Sequence, residues 1–140
     1  MKHAFSTLTL AALAAGPALA QSSVSLSGIV DLGVRQVRNT DVGALNSMVS
    51  GSNATSRFIL RGSEDLGGGL SAGFHLESGL NADTGQSASS TTLFDRRATI
   101  GLVSKTLGEI RLGNDYVPSY LSWNRYDPFS VVGVARTSNL

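Results

Sequence analysis

Ser56-Arg57-Phe58-Ile59-Leu60-Arg61-Gly62, Ser63-Glu64-Asp65-Leu66-Gly67-Gly68-Gly69 and Leu70-Ser71-Ala72-Gly73-Phe74-His75-Leu76-Glu77 follow one another without a break and read as two strands joined by a glycine-rich turn. On the first arm Phe58 and Leu60 fall on one face and Arg57 and Arg61 on the other, because successive side chains point to opposite sides of a strand. Apolar on one side and charged on the other is what a wall between hydrocarbon and water needs.

The period of two continues outward. Residues 24–36 read as a first strand, with Val24, Leu26, Val30, Leu32 and Val34 on one face, Ser25, Ser27, Asp31 and Arg35 on the other, and Ile29 as the one violation. Residues 94–103 read as a fourth strand with Ala98, Ile100 and Leu102 on its apolar face, and residues 109–114 as a short fifth with Ile110 and Leu112. The connections alternate in length: 37–55 is long, 64–69 short, 79–93 long and 104–108 short. That order predicts an all-β fold, a transmembrane antiparallel up-and-down β-barrel with long loops outside the cell and short periplasmic turns. After Asn114 the period stops, and residues 115–129 hold all three Tyr, the only Trp and two of the three Pro. Such a stretch is expected to be a long aromatic loop packed inside a wide barrel.

The first twenty residues are read apart from the fold. Lys2 gives a positive start, residues 4–15 are mostly apolar, and Ala18-Leu19-Ala20 is a small-x-small cleavage site. A cleaved signal peptide over 1–20 is expected, leaving 21–140 as the barrel segment, since an apolar run of about 12 residues is too short to span a bilayer as a helix. Without Lys2 the basic count falls from 11 to 10, equal to the 10 acids, so no nucleic-acid partner is suggested. No cysteine is present, which excludes disulfide and thiolate chemistry. Helical membrane spans are excluded beyond residue 20, because no apolar stretch there is long enough.

No catalytic, cofactor or metal site is expected. His75 is the single histidine after residue 20, so neither a triad nor a zinc cluster can use a second one. Asp83-Thr84-Gly85 matches the aspartic-protease triplet but sits in a polar loop, and Ser104 stands where a phosphate loop ending at Lys105-Thr106 needs glycine. Glu64-Asp65 reads as a charged turn, not a metal pair.

Together these residues resemble the general porins of Gram-negative outer membranes, most closely the β-proteobacterial branch. The resemblance is carried by Ser23-Val24-Ser25-Leu26-Ser27-Gly28-Ile29-Val30-Asp31, by the opening hairpin through Leu70, by Arg96-Arg97-Ala98-Thr99-Ile100-Gly101-Leu102, and by Gly108-Glu109-Ile110-Arg111-Leu112-Gly113. It implies a location in the outer membrane, a homotrimer of barrels usually of sixteen strands, lipid as a partner, and passage of ions and small hydrophilic solutes. It also implies a third loop folded into the pore, which 115–140 would begin. Sixteen strands of about 10 residues each do not fit in this length, so 21–140 is expected to be an N-terminal part of the barrel. An open sheet of five strands leaves two bare edges and is not expected to insert alone.

By alternation, Arg35, Arg57, Arg61 and Arg111 face inward, opposed by Asp31 and Glu77, with His75 beside them. The resemblance makes Arg57 a basic residue of the constriction. Alternation turns Arg97 inward, whereas the resemblance assigns that role to Arg96, so both are candidates. Asp115 and Asp127 are the acids available on the inward loop to face the arginines. If the arginines dominate, the pore prefers anions. Ile59 replaces a usual glycine and Asn114 a usual arginine, departures that weaken that expectation. Two alternatives predict different behaviour: a small non-transporting barrel with a structural or adhesive role closes with eight strands and has no inward loop, and a soluble periplasmic β domain needs no detergent.

Overall fold

A computed structural model describes residues 22–133 and residue 136. The leader expected over 1–20 lies outside the described residues. Among the described residues there are eight strands: β1 (Ser23–Ile29), β2 (Leu32–Asn39), β3 (Gly43–Ser50), β4 (Arg57–Gly67), β5 (Leu70–Asn81), β6 (Gln86–Ser87), β7 (Arg97–Ser104) and β8 (Gly108–Asn114). One helix follows, α1 (Pro118–Tyr126).

The opening hairpin forms as its pattern requires. β4 pairs antiparallel with β5, Leu60 opposite Leu76 and Arg61 opposite His75, and the chain reverses through Gly67, Gly68 and Gly69, all at positive φ. A side chain at these left-handed positions would be strained, which explains the glycine run. Asp65 accepts the Gly67 N–H at 2.8 Å and closes the turn. Around this hairpin the sheet runs β1-β4-β5-β7-β8, every described pairing antiparallel and either between chain neighbours or across a short insertion, the ribbon β2-β3 or the strand β6.

The sheet has its polarity reversed relative to a soluble domain. Among the described residues no hydrophobic side chain is buried, while Leu26 is 74%, Ile100 63% and Leu112 67% exposed. Glu77 on the opposite face is only 6% exposed. Burial of apolar surface is the main drive of folding in water, so a sheet arranged this way needs hydrocarbon against its apolar face. Among the described residues no helix is long and apolar enough to cross a membrane.

Four boundaries differ from the sequence reading. The expected first strand over 24–36 is two strands, interrupted at Val30 and Asp31, and Ile29 closes β1 on the polar face opposite Arg57. The connection over 37–55 is not irregular: 43–50 forms β3 and pairs with β2 in a ribbon, Val34 opposite Met48 and Gln36 opposite Asn46. β7 starts at Arg97 instead of residue 94, and the second long connection carries β6, which pairs with Leu80 and Asn81. The aromatic stretch after Asn114 contains α1, whose first residue is Pro118. Proline breaks strands, yet its fixed φ and missing N–H suit the first helical position.

Gly62 shows how tightly the apolar face is built. The Phe74 ring lies over it, so a Cβ there would collide with the ring. Gly62→Val should therefore force Phe74 out of its place and cost about 1–3 kcal/mol. A lowered urea midpoint of the detergent-folded protein, followed by the fluorescence of Trp123, is the expected reading; an unchanged midpoint contradicts it.

Candidate functional site

Antiparallel register stacks the polar residues in rows. Ile59, Glu77 and Arg97 form one rung, Arg61, His75 and Thr99 the next, and Ser63, Gly73, Gly101 and Arg111 a third. Alternation along each strand puts all of these on one face.

Glu77 is the hub of that face. Its Oε1 lies 2.7 Å from Arg96 Nε and 3.3 Å from Arg57 Nε, and its Oε2 lies 3.2 Å from His75 Nε2. On the other side of the imidazole, Arg61 Nε and Arg97 Nη1 approach Nδ1 at 3.3 and 3.2 Å. Guanidinium groups only donate, so Nδ1 accepts and the proton sits on Nε2, directed at Glu77. Arg97 also binds Asp115 Oδ1 through Nε at 2.6 Å. Asp115 Oδ2 takes Arg111 Nη1 at 3.0 Å, and Arg111 in turn forks onto Glu109 at 2.8 and 2.9 Å.

Tyr116 lies across this network. The Arg96 and Arg97 guanidinium carbons stand 5.7 and 5.4 Å from its ring centroid, and its hydroxyl donates to Glu77 Oε1 at 3.4 Å. Its ring stacks on Tyr120 of α1, centroids 5.2 Å apart, which ties the helix to the charged face. Burial is the first cause that pushes the Tyr116 phenol above its ordinary value. For Asp115 partial desolvation works in the opposite direction, but hydrogen bonds from the Tyr116 N–H, Arg111 and Arg97 prevail and hold its carboxyl below the usual range.

Most of the expected site residues meet here. Arg57, Arg61, Arg96, Arg97, Arg111, Glu77 and Asp115 belong to one connected network. The conflict between Arg96 and Arg97 dissolves in the geometry. Arg97 is the first residue of β7 and shares a rung with Glu77, as alternation requires; Arg96 precedes the strand, where alternation does not apply, and its backbone N–H bonds Glu77 O at 3.2 Å.

Three residues expected on the inward face have other surroundings. Arg35 lies on the β2-β3 ribbon opposite Ser47, beside a cavity of about 450 Å³ with Val49, Ser52 and Arg136, and not among the clustered arginines. Asp127 is placed in the turn after α1, where it accepts the Phe129 and Val131 N–H groups at 2.9 and 3.1 Å. Asp31 turns its carboxylate to the backbone of residues 52–54. The sequence reading also missed the parts of Glu109 and Tyr116. Glu109 sits two residues from Arg111, on the same face of a strand, and that spacing was the available signal.

Two open spaces adjoin the network. A groove of about 310 Å³ runs along the polar face past Arg61, His75, Arg97 and Arg111. A second, of about 340 Å³, lies between residues 53–55, Arg57, Arg96, Tyr116 and α1. Within this network five guanidinium groups face three carboxylates, Glu77, Glu109 and Asp115, so the network carries an excess of fixed positive charge. Among the described residues no group of His, Cys, Asp or Glu could hold a metal ion.

The sequence profile of the Gram-negative porin family matches residues 7–140. Outer membrane porin protein 32 of Delftia acidovorans is 47% identical over 131 residues, covering 92% of this chain and 36% of that protein. An outer membrane porin protein of Bordetella pertussis is 38% identical over 143 residues, covering 92% of this chain and 37% of its own length. Among solved structures, the anion-selective porin from Comamonas acidovorans superposes with a TM-score of 0.69 at 42% identity, over 83% of this chain and 34% of that one. The chain belongs to the Gram-negative porin family, its strands are part of a β-barrel wall, and the outer membrane is its location. It spans about a third of the length of the curated relatives it matches.

Asp115 gives a direct test of the network. With its folded value lowered, it stabilises the fold above about pH 4 and loses that contribution as the pH falls through the lowered value. An NMR titration of its carboxyl carbon should show a midpoint below that of a free aspartate, moving upward in Arg97→Gln and in Arg111→Gln. An ordinary midpoint that neither substitution moves contradicts the geometry.

Proposed function

We propose that this chain builds part of the wall of a passive, water-filled outer-membrane channel for ions and small hydrophilic solutes, with a preference for anions. The observation that carries the reading is the excess of guanidinium groups on the polar face of a sheet whose other face is apolar. Arginine keeps its charge at any working pH, and in a narrow aqueous space with low-dielectric walls fixed charges act strongly on a passing ion. The name of the Comamonas relative, an anion-selective porin, agrees with that sign.

In this reading Arg57, Arg61, Arg96, Arg97 and Arg111 line the pore, Glu77 and Asp115 hold them apart and in place, and Arg35 and Asp127 serve elsewhere. α1 narrows the passage by lying against the arginines through Tyr116 and Tyr120. Residues 1–20 act as a cleaved export signal, and the assembled protein is a homotrimer that works as a channel and not as an enzyme. A non-transporting eight-stranded barrel fits less well, because a small barrel fills its interior with side chains and leaves no room for α1.

A chimera in which this chain replaces the matching third of the Delftia porin puts the wall into a complete barrel. Under a potassium chloride gradient in a planar bilayer, its reversal potential should show anion preference, and Arg57→Gln should lower the anion-to-cation permeability ratio roughly twofold. A parent chimera that favours cations overturns the proposal. Heat-sensitive migration of a species three times the chain mass supports the trimer, and a monomer at all temperatures refutes it.

A further inference from the structure

Among the described residues, Asp31 is a carboxylate that the ion pairs of the wall do not use. Its Oδ1 accepts the Ser52 N–H at 2.9 Å, and its Oδ2 accepts those of Asn53 and Ala54 at 3.2 and 2.9 Å. Three consecutive amides converging on one anion form a backbone nest.

The nest belongs to a large bulge. Ile29 pairs with Arg57 and Leu32 with Ser50, so two residues on one side of the ladder, Val30 and Asp31, face six on the other, residues 51–56. Both ends of the bulge are fastened to the same place. Gly51 N–H donates to Asp31 O at 3.1 Å, Asp31 N–H donates to Ser56 Oγ at 2.9 Å, and Ser56 Oγ donates back to Asp31 O at 3.0 Å. Ser56 is fully buried, and its carbonyl accepts the Leu80 N–H at 2.9 Å, which ties the bulge to β5 as well.

From this bulge comes the hydrogen bond that orients Arg57. Thr55 O accepts Arg57 Nη1 at 3.1 Å. Arg57 Nε lies 3.3 Å from Glu77 Oε1 without an aligned hydrogen bond, while Arg96 takes that oxygen at 2.7 Å. The bulge also contributes residues 53–55 to the space of about 340 Å³ beside Arg57.

We infer that Asp31 is a positioning residue for ion specificity: by holding the 51–56 bulge it sets the direction of the Arg57 guanidinium through the Thr55 carbonyl, and not through its own charge. The inference rests on the channel reading above. It makes a prediction opposite in sign to simple electrostatics. Removing an acid near a pore should raise anion preference if the acid acts through its field. Removing a support for Arg57 should lower it.

In the chimeric channel, Asp31→Asn keeps the shape of the side chain but replaces one acceptor of the nest with a donor, and Asp31→Ala removes both acceptors. Each is expected to lower the anion-to-cation permeability ratio, approaching the roughly twofold loss of Arg57→Gln, and to add little in an Arg57→Gln background. A ratio that rises or stays unchanged overturns the inference, as does an equal further loss in the Arg57→Gln background. If neither variant inserts, Asp31 supports the wall as a whole and the inference also falls. Solvent exchange of the Arg57 Nε–H, read by NMR in detergent, tests the same link without any current: it should accelerate in Asp31→Asn and not in Arg111→Gln. A parent channel that prefers cations while this acceleration is present refutes the channel reading alone; an anion-selective parent with no acceleration refutes the role of Asp31 alone.

Discussion

Glu77 is the charge around which the polar face closes. Two arginines, a histidine and a tyrosine hydroxyl converge on one carboxylate that is almost fully covered by protein. An uncompensated carboxylate in that position would be costly, and guanidinium groups packed side by side would repel. Each solves the other's problem. Because Glu77 stands on β5, which pairs with both β4 and β7, the register of those two pairings fixes which cations can reach it. The same pairings present Leu60, Leu76 and Ala98 together on the opposite face, so one arrangement of strands serves both the hydrocarbon side and the wet side.

That coupling explains what could be read from the sequence. The hairpin from Arg57 to Glu77, its turn, the outward Ile100 and Leu112 and the inward Arg61, Arg97 and Arg111 all follow from a period of two, and a period is a local property. Arg96 was out of reach of that argument because it lies one residue before β7. The ribbon β2-β3 and the helix α1 were hidden for related reasons. Strand β3 reads Gly-Ala-Leu-Asn-Ser-Met-Val-Ser, with its apolar residues on both faces of a free-standing ribbon and no single face to betray it. For α1, Pro118 has opposite meanings in a strand and at the start of a helix, and the sequence around it does not say which applies.

Asp31 was misread for a deeper reason. Alternation from Val24 onward places its side chain among the inward groups, and it would lie there if the first strand continued. The strand instead breaks at Val30 because three amides of a distant segment, residues 52–54, offer the carboxylate better company than the open polar face does. Such a partner is invisible to any rule that counts along one strand. Where a carboxylate interrupts a ladder, the question to ask is which backbone N–H groups it leaves the sheet to satisfy.

The proposed channel joins these elements into one argument about field direction. Arginines alone, however many, give a wall of positive charge whose side chains are long and free to turn. In this protein the five are held from four different places: Arg96 by Glu77, Arg97 and Arg111 by Asp115, Arg61 by the imidazole of His75, and Arg57 by the carbonyl of Thr55. Acids spent on holding cations also cancel part of their field, so a support made of uncharged acceptors keeps more of it. Arg57 has that kind of support, because the charge of Asp31 is absorbed by backbone amides one step removed. In the proposed channel the orientation of Arg57 thus depends on a bulge through an uncharged acceptor, and the geometry of that bulge is one place where selectivity is open to change.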